Sequence, residues 1–304
     1  MKITITGSLG HISKPLALEL VQKGHAVTII SHNPEKQKDI EALGATAAIG
    51  SIEDVSFLTG AFSGADAVYT MMPPSSPQGF TDTTNRNIFT GVTERCDNIM
   101  TNYAEAIQQS GVKRVVHLSS IGAHMEKESG LLILHHHAEA ILNKMQNIDI
   151  TFMRPVGFYY NLLNFIPVIK TTGIIASNYG GDDIIPWVSP IDIATSIADE
   201  IVKPLSGRKV LYVASEEITC NEVAGILGEA IGKPDLKWKI ITDEQLQSGM
   251  EKAGVPGTIA AGLVEMQASM HNGDVYRDYN LNKPAPGKVK MKDFAKEFAL
   301  MYQQ

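Results

Sequence analysis

Two glycines and a serine recur at intervals of three residues in TGSLGHISKP (6–15), directly after the strand-like start MKITI. Gly7 can form a tight turn, and Gly10 can let the backbone approach a pyrophosphate at the amino end of a helix. Ser13 replaces the third glycine that usually lets such a helix pack close to its strand. A plain strand-to-helix turn is the alternative. Because this turn opens a series of alternating strands and helices, we predict dinucleotide binding instead, by Gly7, Ser8, Leu9, Gly10, His11 and Ile12.

The tip of the second predicted strand bears on the choice between the two nicotinamide dinucleotides. NAD-binding proteins usually place an acid there, about 20 residues after the glycine turn, on the ribose hydroxyls. Ser31, His32 and Asn33 occupy this tip, without a carboxylate. His32 and Lys36 can attract a 2′-phosphate, although Glu35 opposes them and no arginine offers a bidentate fork. Solvated turn residues are the alternative. We predict a preference for NADP(H), with NAD(H) as the second choice.

Short apolar runs alternate with helical patterns through the first half of the chain. The strand-like runs are residues 2–6, 25–31, 45–50, 65–72, 112–120 and 148–155. This alternation implies right-handed βαβ units and a parallel sheet with helices on both faces. We therefore predict an α/β fold, with a doubly wound Rossmann domain over residues 1–155. A smaller, mostly helical subdomain is predicted over 156–304, from which about 190–214 return to the Rossmann sheet.

The composition excludes several classes of protein. The chain has 304 residues, 44% of them hydrophobic, and a net charge of −7 without any basic run, so no nucleic-acid partner is expected. No stretch is apolar for long enough to span a bilayer, and no membrane association is expected. Cys96 and Cys220 belong to no paired motif, which argues against a disulfide framework or a zinc site. A cytoplasmic protein is expected.

Five segments together resemble the NmrA-like branch of the atypical short-chain dehydrogenase/reductases. They are TGSLGHISKPLALEL, SHNPEK, GSIEDVSFLTGAFSGADAVYTMMPP, GVKRVVHLSSIG and AEAILNKMQNIDITFMRPVGFYYNL. The resemblance covers residues 1 to about 165 and continues weakly through PWVSPIDIA. It implies a Rossmann fold with a small C-terminal subdomain and bound NADP(H) or NAD(H). Members of the family include reductases of quinones, aldehydes and plant phenolics, and also cofactor sensors that do no chemistry.

The resemblance also implies cofactor-binding residues at the carboxyl ends of the predicted strands, where open α/β sheets bind ligands. They would border the adenine, line the channel beyond the fourth strand, face the nicotinamide and close over it. In that order they are Gly50, Ser51 and Ile52; residues 69–74, including Met71, Met72 and Pro73; Ser119 and Ser120; and Pro155, Val156, Gly157 and Phe158. The family more often has an acid where Ser51 stands. A tight turn at Gly50 and loop stiffening at residues 73–74 are the alternatives.

The Tyr-x-x-x-Lys pair of short-chain reductases falls here on Leu131 and His135. Leu131 cannot transfer a proton. His135 can donate a proton or bind a ribose hydroxyl near neutral pH, with Glu139 one turn away to orient or charge it. A histidine that borders a core-packed helix is an equal alternative. The consecutive residues His135, His136 and His137 diverge around a helix, with His136 directed away from the packed face, so no metal site is predicted.

A substrate pocket is predicted beyond the sixth strand, lined by Tyr159, Tyr160, Asn161 and Trp187. Packing within the predicted C-terminal subdomain is the alternative explanation of these residues. With Met71, Met72 and Phe158 they would form an apolar pocket that fits a quinone, an enone or another planar carbonyl. Asp192 is predicted to cap or anchor a helix rather than to catalyse. The segment 75–96 is interpreted as a lid, with a surface loop as the alternative.

These residues favour an NAD(P)H-dependent reductase of a small, apolar carbonyl or quinone. The proton would come from His135, from a water held by Ser119 or Ser120, or from solvent. The alternative is a non-catalytic NADP(H) sensor that acts through a regulatory protein partner, which the loss of both Tyr and Lys favours. A weaker third interpretation is an isomerase that uses the cofactor transiently. The sequence indicates no particular oligomeric state.

Overall fold

The computed structural model describes residues 1–73 and 88–304, without the side chains of residues 88 and 89. In chain order the strands are β1 (Lys2–Ile5), β2 (Ala26–Ser31), β3 (Thr46–Ile49), β4 (Ala67–Met71), β5 (Arg114–Leu118), β6 (Asp149–Pro155), β7 (Gly157–Phe158), β8 (Ile174–Ser177), β9 (Ile184–Val188), β10 (Arg208–Val213), β11 (Glu216–Thr219) and β12 (Lys237–Ile240).

The helices separate these strands and fill most of the C-terminal half. They are α1 (Ser13–Gln22), α2 (Gln37–Ala42), α3 (Val55–Phe62), α4 (Ile88–Ser110), α5 (Ile133–Leu142), α6 (Ile166–Thr172), α7 (Pro190–Ile201), α8 (Cys220–Ala230), α9 (Asp243–Lys252), α10 (Gly257–His271), α11 (Arg277–Leu281) and α12 (Met291–Gln303). Among the described residues, no helix combines the length and the apolar character needed to cross a bilayer.

Seven parallel strands form the central sheet, in the order β10-β6-β5-β4-β1-β2-β3. The strand order reverses between β1 and β4, which is the switch point where doubly wound sheets bind ligands at their carboxyl edge. The predicted α/β fold is confirmed. The edge strand β10 pairs with β6 from Arg208 opposite Ile150 to Val213 opposite Pro155, so residues 208–213 belong to the central sheet.

The two faces of the sheet are covered by different helices, because successive residues of a strand point to opposite sides. Val116 of β5 belongs to the core that includes Leu16 of α1 and Ile193 of α7. Its neighbour Val115 belongs to the core on the other face, which includes Met100 of α4. The sheet is therefore buried on both sides, and its carboxyl edge is where a ligand can approach it.

Beyond residue 156 the chain forms helices and two small sheets. One sheet has the order β11-β9-β7 and the other pairs β12 with β8. The run IIPWVS indicated β9, whereas the partner strands were not predicted. The two residues of β7 and the four of β8 and β12 are too few to show a period of two in the sequence. The predicted boundary near residue 155 stays a prediction.

Candidate dinucleotide-binding site

The turn after β1 has the conformation that its glycines predict. Gly7 has φ +89° and Ser8 has φ +53°, both in the left-handed region. The amide of Gly10 donates to the carbonyl oxygen of Gly7 at 3.1 Å. A Cβ on Gly7 would lie 2.5 Å from both Met71 Sδ and Ser13 Oγ. Gly7 is therefore required by its φ angle and by the close packing around it.

Ser13 fills the place of the third glycine and also links helix to strand. Its buried hydroxyl donates to the carbonyl oxygen of Thr6 at 2.9 Å. Helix α1 has Ile12 at its N-cap and no side-chain cap. Within the described residues, no carbonyl accepts from the amides of His11, Ile12 and Ser13. This end of α1 therefore has free N–H groups and the positive end of the helix dipole, which fit a pyrophosphate.

The tip of β2 is joined to this turn by hydrogen bonds. Ser8 Oγ donates to the buried Ser31 Oγ at 3.0 Å, and the Ser8 amide donates to the carbonyl oxygen of Ile30 at 3.1 Å. Asn33 Oδ1 accepts from the amide of Glu35 at 2.9 Å and caps the 3-10 turn Pro34–Lys36. The structure gives Ser31 and Asn33 local bonding partners, which shape the tip of the strand.

The exposed groups at this tip include His32, Lys36 and the acidic Glu35. Lys36 Nζ lies 3.5 Å from Asp39 Oδ2 in an exposed ion pair, which stabilises little and leaves the ammonium accessible. His32 and Lys36 lie where the sequence predicts the adenosine ribose.

Gly50 is required by a close contact rather than by a tight turn. Its amide donates to the carbonyl oxygen of Ser31 at 2.9 Å, which joins β3 to β2. A Cβ on Gly50 would overlap the ring of Phe57, and the φ angle of Gly50 is not positive. Ser51 is exposed and its hydroxyl accepts from the amide of Glu53 at 3.1 Å, while Ile52 is half-buried. A cleft of about 440 Å³ opens beside this loop, against the first turns of α4.

The end of β4 contacts the turn after β1. Met71 packs its sulfur against Gly7, and its amide donates to Thr6 Oγ1 at 3.2 Å. Met72 is buried and Pro73 is half-buried. Met71 is thus the member of the predicted channel that meets the glycine turn. Pro74 and residues 75–87 of the predicted lid lie outside the described residues.

Ser119, at the end of β5, is held by a buried ion pair. Its hydroxyl donates to Glu139 Oε1 at 2.5 Å. Arg154 of β6 donates from Nε to Glu139 Oε1 at 2.8 Å and from Nη2 to Oε2 at 2.6 Å. Ser119 therefore has no proton left for a substrate. Ser120 is half-buried, and its hydroxyl has no hydrogen-bond partner in the described residues.

This ion pair extends to the C-terminal part of the chain. Arg154 Nη1 also donates to Asp278 Oδ2 at 3.0 Å and to the Tyr212 hydroxyl at 3.2 Å. The Tyr212 hydroxyl donates to Asp278 Oδ2 at 2.6 Å. The network was not predicted, although the sequence carries a signal for it. Arg154 ends the otherwise apolar strand pattern ITFMRP, and a charge within such a strand requires a buried partner.

His135 lies half-buried in α5, near the fully buried His117. Burial lowers the pKa of His135 to about 4, against an opposing effect of the Glu139 carboxylate. Its Nδ1 is buried and unpaired within the described residues. The expectation that Glu139 orients His135 is not met, because both oxygens of Glu139 are bonded to Arg154 and Ser119. His135 is neutral at pH 7 and can offer only a neutral N–H.

The buried neighbour is His117 of β5. Burial is the larger cause and the proximity of His135 the smaller cause that lower the pKa of His117 to about 3. Its Nδ1 lies 3.0 Å from Thr70 Oγ1, and its Nε2 has no partner in the described part of the chain. The strand pattern KRVVHL gave no reason to assign His117 a role, and this residue was not predicted.

The other two histidines of α5 reach different elements. His136 Nδ1 donates to the carbonyl oxygen of Ala123 at 3.1 Å, rather than pointing away from the fold as expected. His137 Nδ1 lies 3.5 Å from Asp97 Oδ1 of α4. Leu131, at the position of the family tyrosine, packs against Gly262 of α10. Leu131 therefore makes a hydrophobic contact with α10 at the position where short-chain reductases have the tyrosine that donates a proton.

The segment after β6 turns one tyrosine outward and one inward. The Tyr160 ring stacks on His11, with 4.9 Å between the centroids, and packs against Phe158 at 5.0 Å. Tyr159 is buried, and its hydroxyl donates to Glu216 Oε1 at 2.7 Å. The geometry therefore brings Tyr160 and Phe158 to the glycine turn, whereas Tyr159 packs in the core.

The remaining predicted residues of this region have mixed positions. Pro155 and Val156 are buried at the end of β6, and Gly157 lies against the ring of the buried Trp187. Trp187 Nε1 has no partner within the described residues. Asn161 is exposed. Because Gly157 has no side chain, the Trp187 ring approaches it closely and packs against the segment that follows β6.

Asp192, which is predicted to cap or anchor a helix, lies in the first turn of α7 and anchors it to two distant segments. Its carboxylate accepts from Ser215 Oγ at 2.6 Å, from the Lys288 amide at 3.1 Å and from the Val289 amide at 3.0 Å. These hydrogen bonds of the Asp192 carboxylate are all to groups of the protein itself. Asp192 therefore joins the start of α7 to the loop that precedes α12.

The comparisons with known proteins agree with this site. A family described as NAD(P)H-binding matches residues 7–180, more than half of the chain. The chain is 25% identical to an NAD(P)H azoreductase of Xenophilus azovorans over 88% of this chain and 86% of that protein. It is also 25% identical to a (4-alkanoyl-5-oxo-2,5-dihydrofuran-3-yl)methyl phosphate reductase of Streptomyces griseus, over 76% and 74% of the two chains.

A solved structure shares the fold across nearly the whole chain. It is the NADPH-dependent quinone oxidoreductase QOR2 of Escherichia coli in complex with NADPH, with a TM-score of 0.78. The two are 20% identical, and the match covers 97% of this chain and 99% of that one. The resemblance drawn from the sequence is confirmed, and the chain belongs to the NAD(P)H-binding family of Rossmann-fold proteins.

Proposed function

We propose that the protein is an NAD(P)H-dependent reductase of a small, apolar carbonyl or quinone. The observation that carries this proposal is the uncapped amino end of α1 behind Gly7 and Gly10. The amides of His11, Ile12 and Ser13, which have no acceptor within residues 1–73 and 88–304, offer donors to a pyrophosphate. When bound, the nicotinamide supplies a hydride to the substrate. The remaining chemistry belongs to the side chains at the carboxyl edge of the sheet.

The proposed binding residues follow that edge from β3 to β6. Gly50 and Ser51 are proposed to border the adenine. His32 and Lys36, with no carboxylate at the tip of β2, support a preference for NADPH over NADH. Ser119 and the segment from Pro155 to Phe158 are proposed to hold the nicotinamide end.

The proton that accompanies the hydride is proposed to come from solvent, through a water held by Ser120 or by the neutral N–H of His135. Ser119 is excluded as its donor because its hydroxyl hydrogen is bonded to Glu139. His135 with a pKa of about 4 carries no surplus proton at pH 7, but its N–H can still donate a hydrogen bond. A quinone suits such a site, since its reduced oxygens can take protons from water.

The substrate is proposed to be planar and apolar. Met71, Phe158 and Tyr160 offer apolar and aromatic surface beside the glycine turn. Relatives named as an azoreductase and a reductase of an unsaturated lactone phosphate support reduction of a conjugated acceptor. Aromatic faces favour ring stacking over the binding of a highly charged metabolite.

The test is cofactor oxidation with menadione and with a panel of enals, followed by absorbance at saturating NADPH. Turnover well above the protein-free rate is expected with at least one acceptor. A His135→Ala variant with unchanged kcat and KM would remove His135 from the proton transfer. Tight NADPH binding without turnover of any acceptor would contradict the reductase and would leave the cofactor sensor in its place.

A further inference from the structure

We propose that Glu139 is a positioning residue that fixes Ser119 as a hydrogen-bond acceptor for the bound dinucleotide. This inference rests on the proposed function, because it assigns a role to a residue at the nicotinamide end of that site.

The direction of the bond at Ser119 carries the first step. A serine hydroxyl has one hydrogen and two lone pairs. The hydrogen is directed to Glu139 Oε1 at 2.5 Å, and both residues are buried, with exposures of 2% and 6%. The capacity that remains on Ser119 Oγ is for accepting. Its partner in a complex must therefore present an N–H or an O–H, such as the carboxamide of a nicotinamide or a sugar hydroxyl.

Arg154 makes this direction permanent. Its guanidinium donates to both oxygens of Glu139 in a bidentate arrangement. An ionised carboxylate accepts hydrogen bonds and donates none. Ser119 therefore has to be the donor in its bond to Glu139, and it cannot reverse when a ligand arrives. Substrate carbonyl oxygens, which also only accept, are excluded as partners of Ser119.

A second buried network at the other end of the same strands provides an internal comparison. Arg114, the first residue of β5, donates to Glu200 Oε1 at 3.0 Å, and Thr151 Oγ1 donates to the same oxygen at 2.9 Å. It has the same parts, a guanidinium, a carboxylate and a hydroxyl, but it lies at the amino ends of the strands. A role limited to stability predicts that the two networks behave alike.

The experiment measures NADPH binding by fluorescence titration, independently of turnover, together with urea unfolding. The variants are Ser119→Ala, Glu139→Gln and the double variant, with Glu200→Gln as the matched control. We expect Ser119→Ala and Glu139→Gln each to raise Kd about five- to tenfold, the effect of one hydrogen bond. The double variant should show the same increase and not the product of the two. Glu200→Gln should lose stability and keep the wild-type Kd.

A further variant separates positioning from packing if Glu139→Gln unfolds. Tyr212→Phe removes one bond to Arg154 Nη1 and leaves both oxygens of Glu139 bonded to Arg154, so Kd should stay within about twofold of wild type. A Glu139→Gln protein that binds like wild type would overturn the inference. So would a double variant with multiplied effects, or a Tyr212→Phe protein that binds as weakly as Ser119→Ala. Absence of NADPH binding in the wild type would instead contradict the proposed function.

Discussion

The ring of Tyr160 stacks on the imidazole of His11, with 4.9 Å between the centroids and 23° between the planes. His11 belongs to the turn after β1, and Tyr160 follows β6, two strands beyond the switch point of the sheet. The contact joins the glycine turn after β1 to the segment that follows β7. A ligand lying along the carboxyl edge would pass beside this pair of rings.

Removal of the Tyr160 ring should weaken binding of the dinucleotide. Tyr160→Ala removes the stacking partner of His11 and Phe158, and an increase in Kd of about three- to tenfold is expected from the loss of one aromatic contact. Tyr160→Phe keeps the ring and should bind like wild type. Titrations with NADPH measure both variants. Equal Kd values for Tyr160→Ala and wild type would separate the ring pair from the binding site.

Substitution of Gly7 should be more damaging than substitution of another glycine with positive φ. Gly7→Ala combines φ +89° with a Cβ 2.5 Å from Met71 Sδ and Ser13 Oγ, so a loss of roughly 2–4 kcal/mol in unfolding free energy is expected. Gly24 has φ +83° and open space around it, and Gly24→Ala should cost only about 1 kcal/mol. Urea unfolding compares them, and equal losses would contradict the crowding at Gly7.

Stability should fall in mild acid because His117 and His135 both have lowered pKa values in the fold. The folded pKa of His117 is about 3 and that of His135 about 4, both below the ordinary value of about 6.5. Between the ordinary pKa and the lowered pKa values, the unfolded chain binds protons that the folded chain does not. The contribution of the two neutral histidines to the unfolding free energy is therefore fully present above about pH 6.5 and is lost as the pH falls toward 3.

A His117→Gln variant tests the origin of that slope. The variant removes the more deeply buried imidazole, so its unfolding free energy should change less between pH 6.5 and 4.5 than that of the wild type. Chemical unfolding at several pH values gives the two slopes. Parallel curves would show that His117 is not responsible.

The Asp192→Ala variant should have a lower free energy of unfolding and an unchanged affinity for the dinucleotide. The substitution leaves Ser215 Oγ and the amides of Lys288 and Val289 without their acceptor, and a loss of roughly 2–4 kcal/mol is expected. Unfolding and NADPH titration of the same sample test the two parts. A large rise in Kd at unchanged stability would instead assign Asp192 to the site.

The sequence predicts the central sheet well because its physical causes are local. Buried parallel strands are short β-branched runs, and the left-handed Gly7 stands directly after the first of them. The candidate residues lie at carboxyl ends of strands, as the sequence predicts, and their contact with a ligand stays a prediction. Pairing with β6 brings residues 208–213 into the sheet, consistent with the predicted return of about 190–214.

The rest depends on contacts between distant residues. Tyr159 and Tyr160 are neighbours of the same type, and only the fold shows that one faces Glu216 and the other His11. Gly50 is predicted to border the adenine, with a tight turn as the alternative, and only the fold shows that the Phe57 ring leaves no room for a side chain there. Glu139 was paired in prediction with His135, one turn away, but the buried charge of Arg154 on another strand binds it instead.

The most direct test of the account is a fluorescence titration of the purified protein and its Gly10→Ala variant with NADPH and NADH. Gly10 is exposed, and a Cβ there meets only the carbonyl oxygen of Gly7 at 3.1 Å, so the variant should fold. We expect saturable binding by the wild type, tighter for NADPH, and a loss of at least tenfold in the variant. Absence of binding to the wild type, or equal binding to both proteins, would contradict a dinucleotide site at this turn.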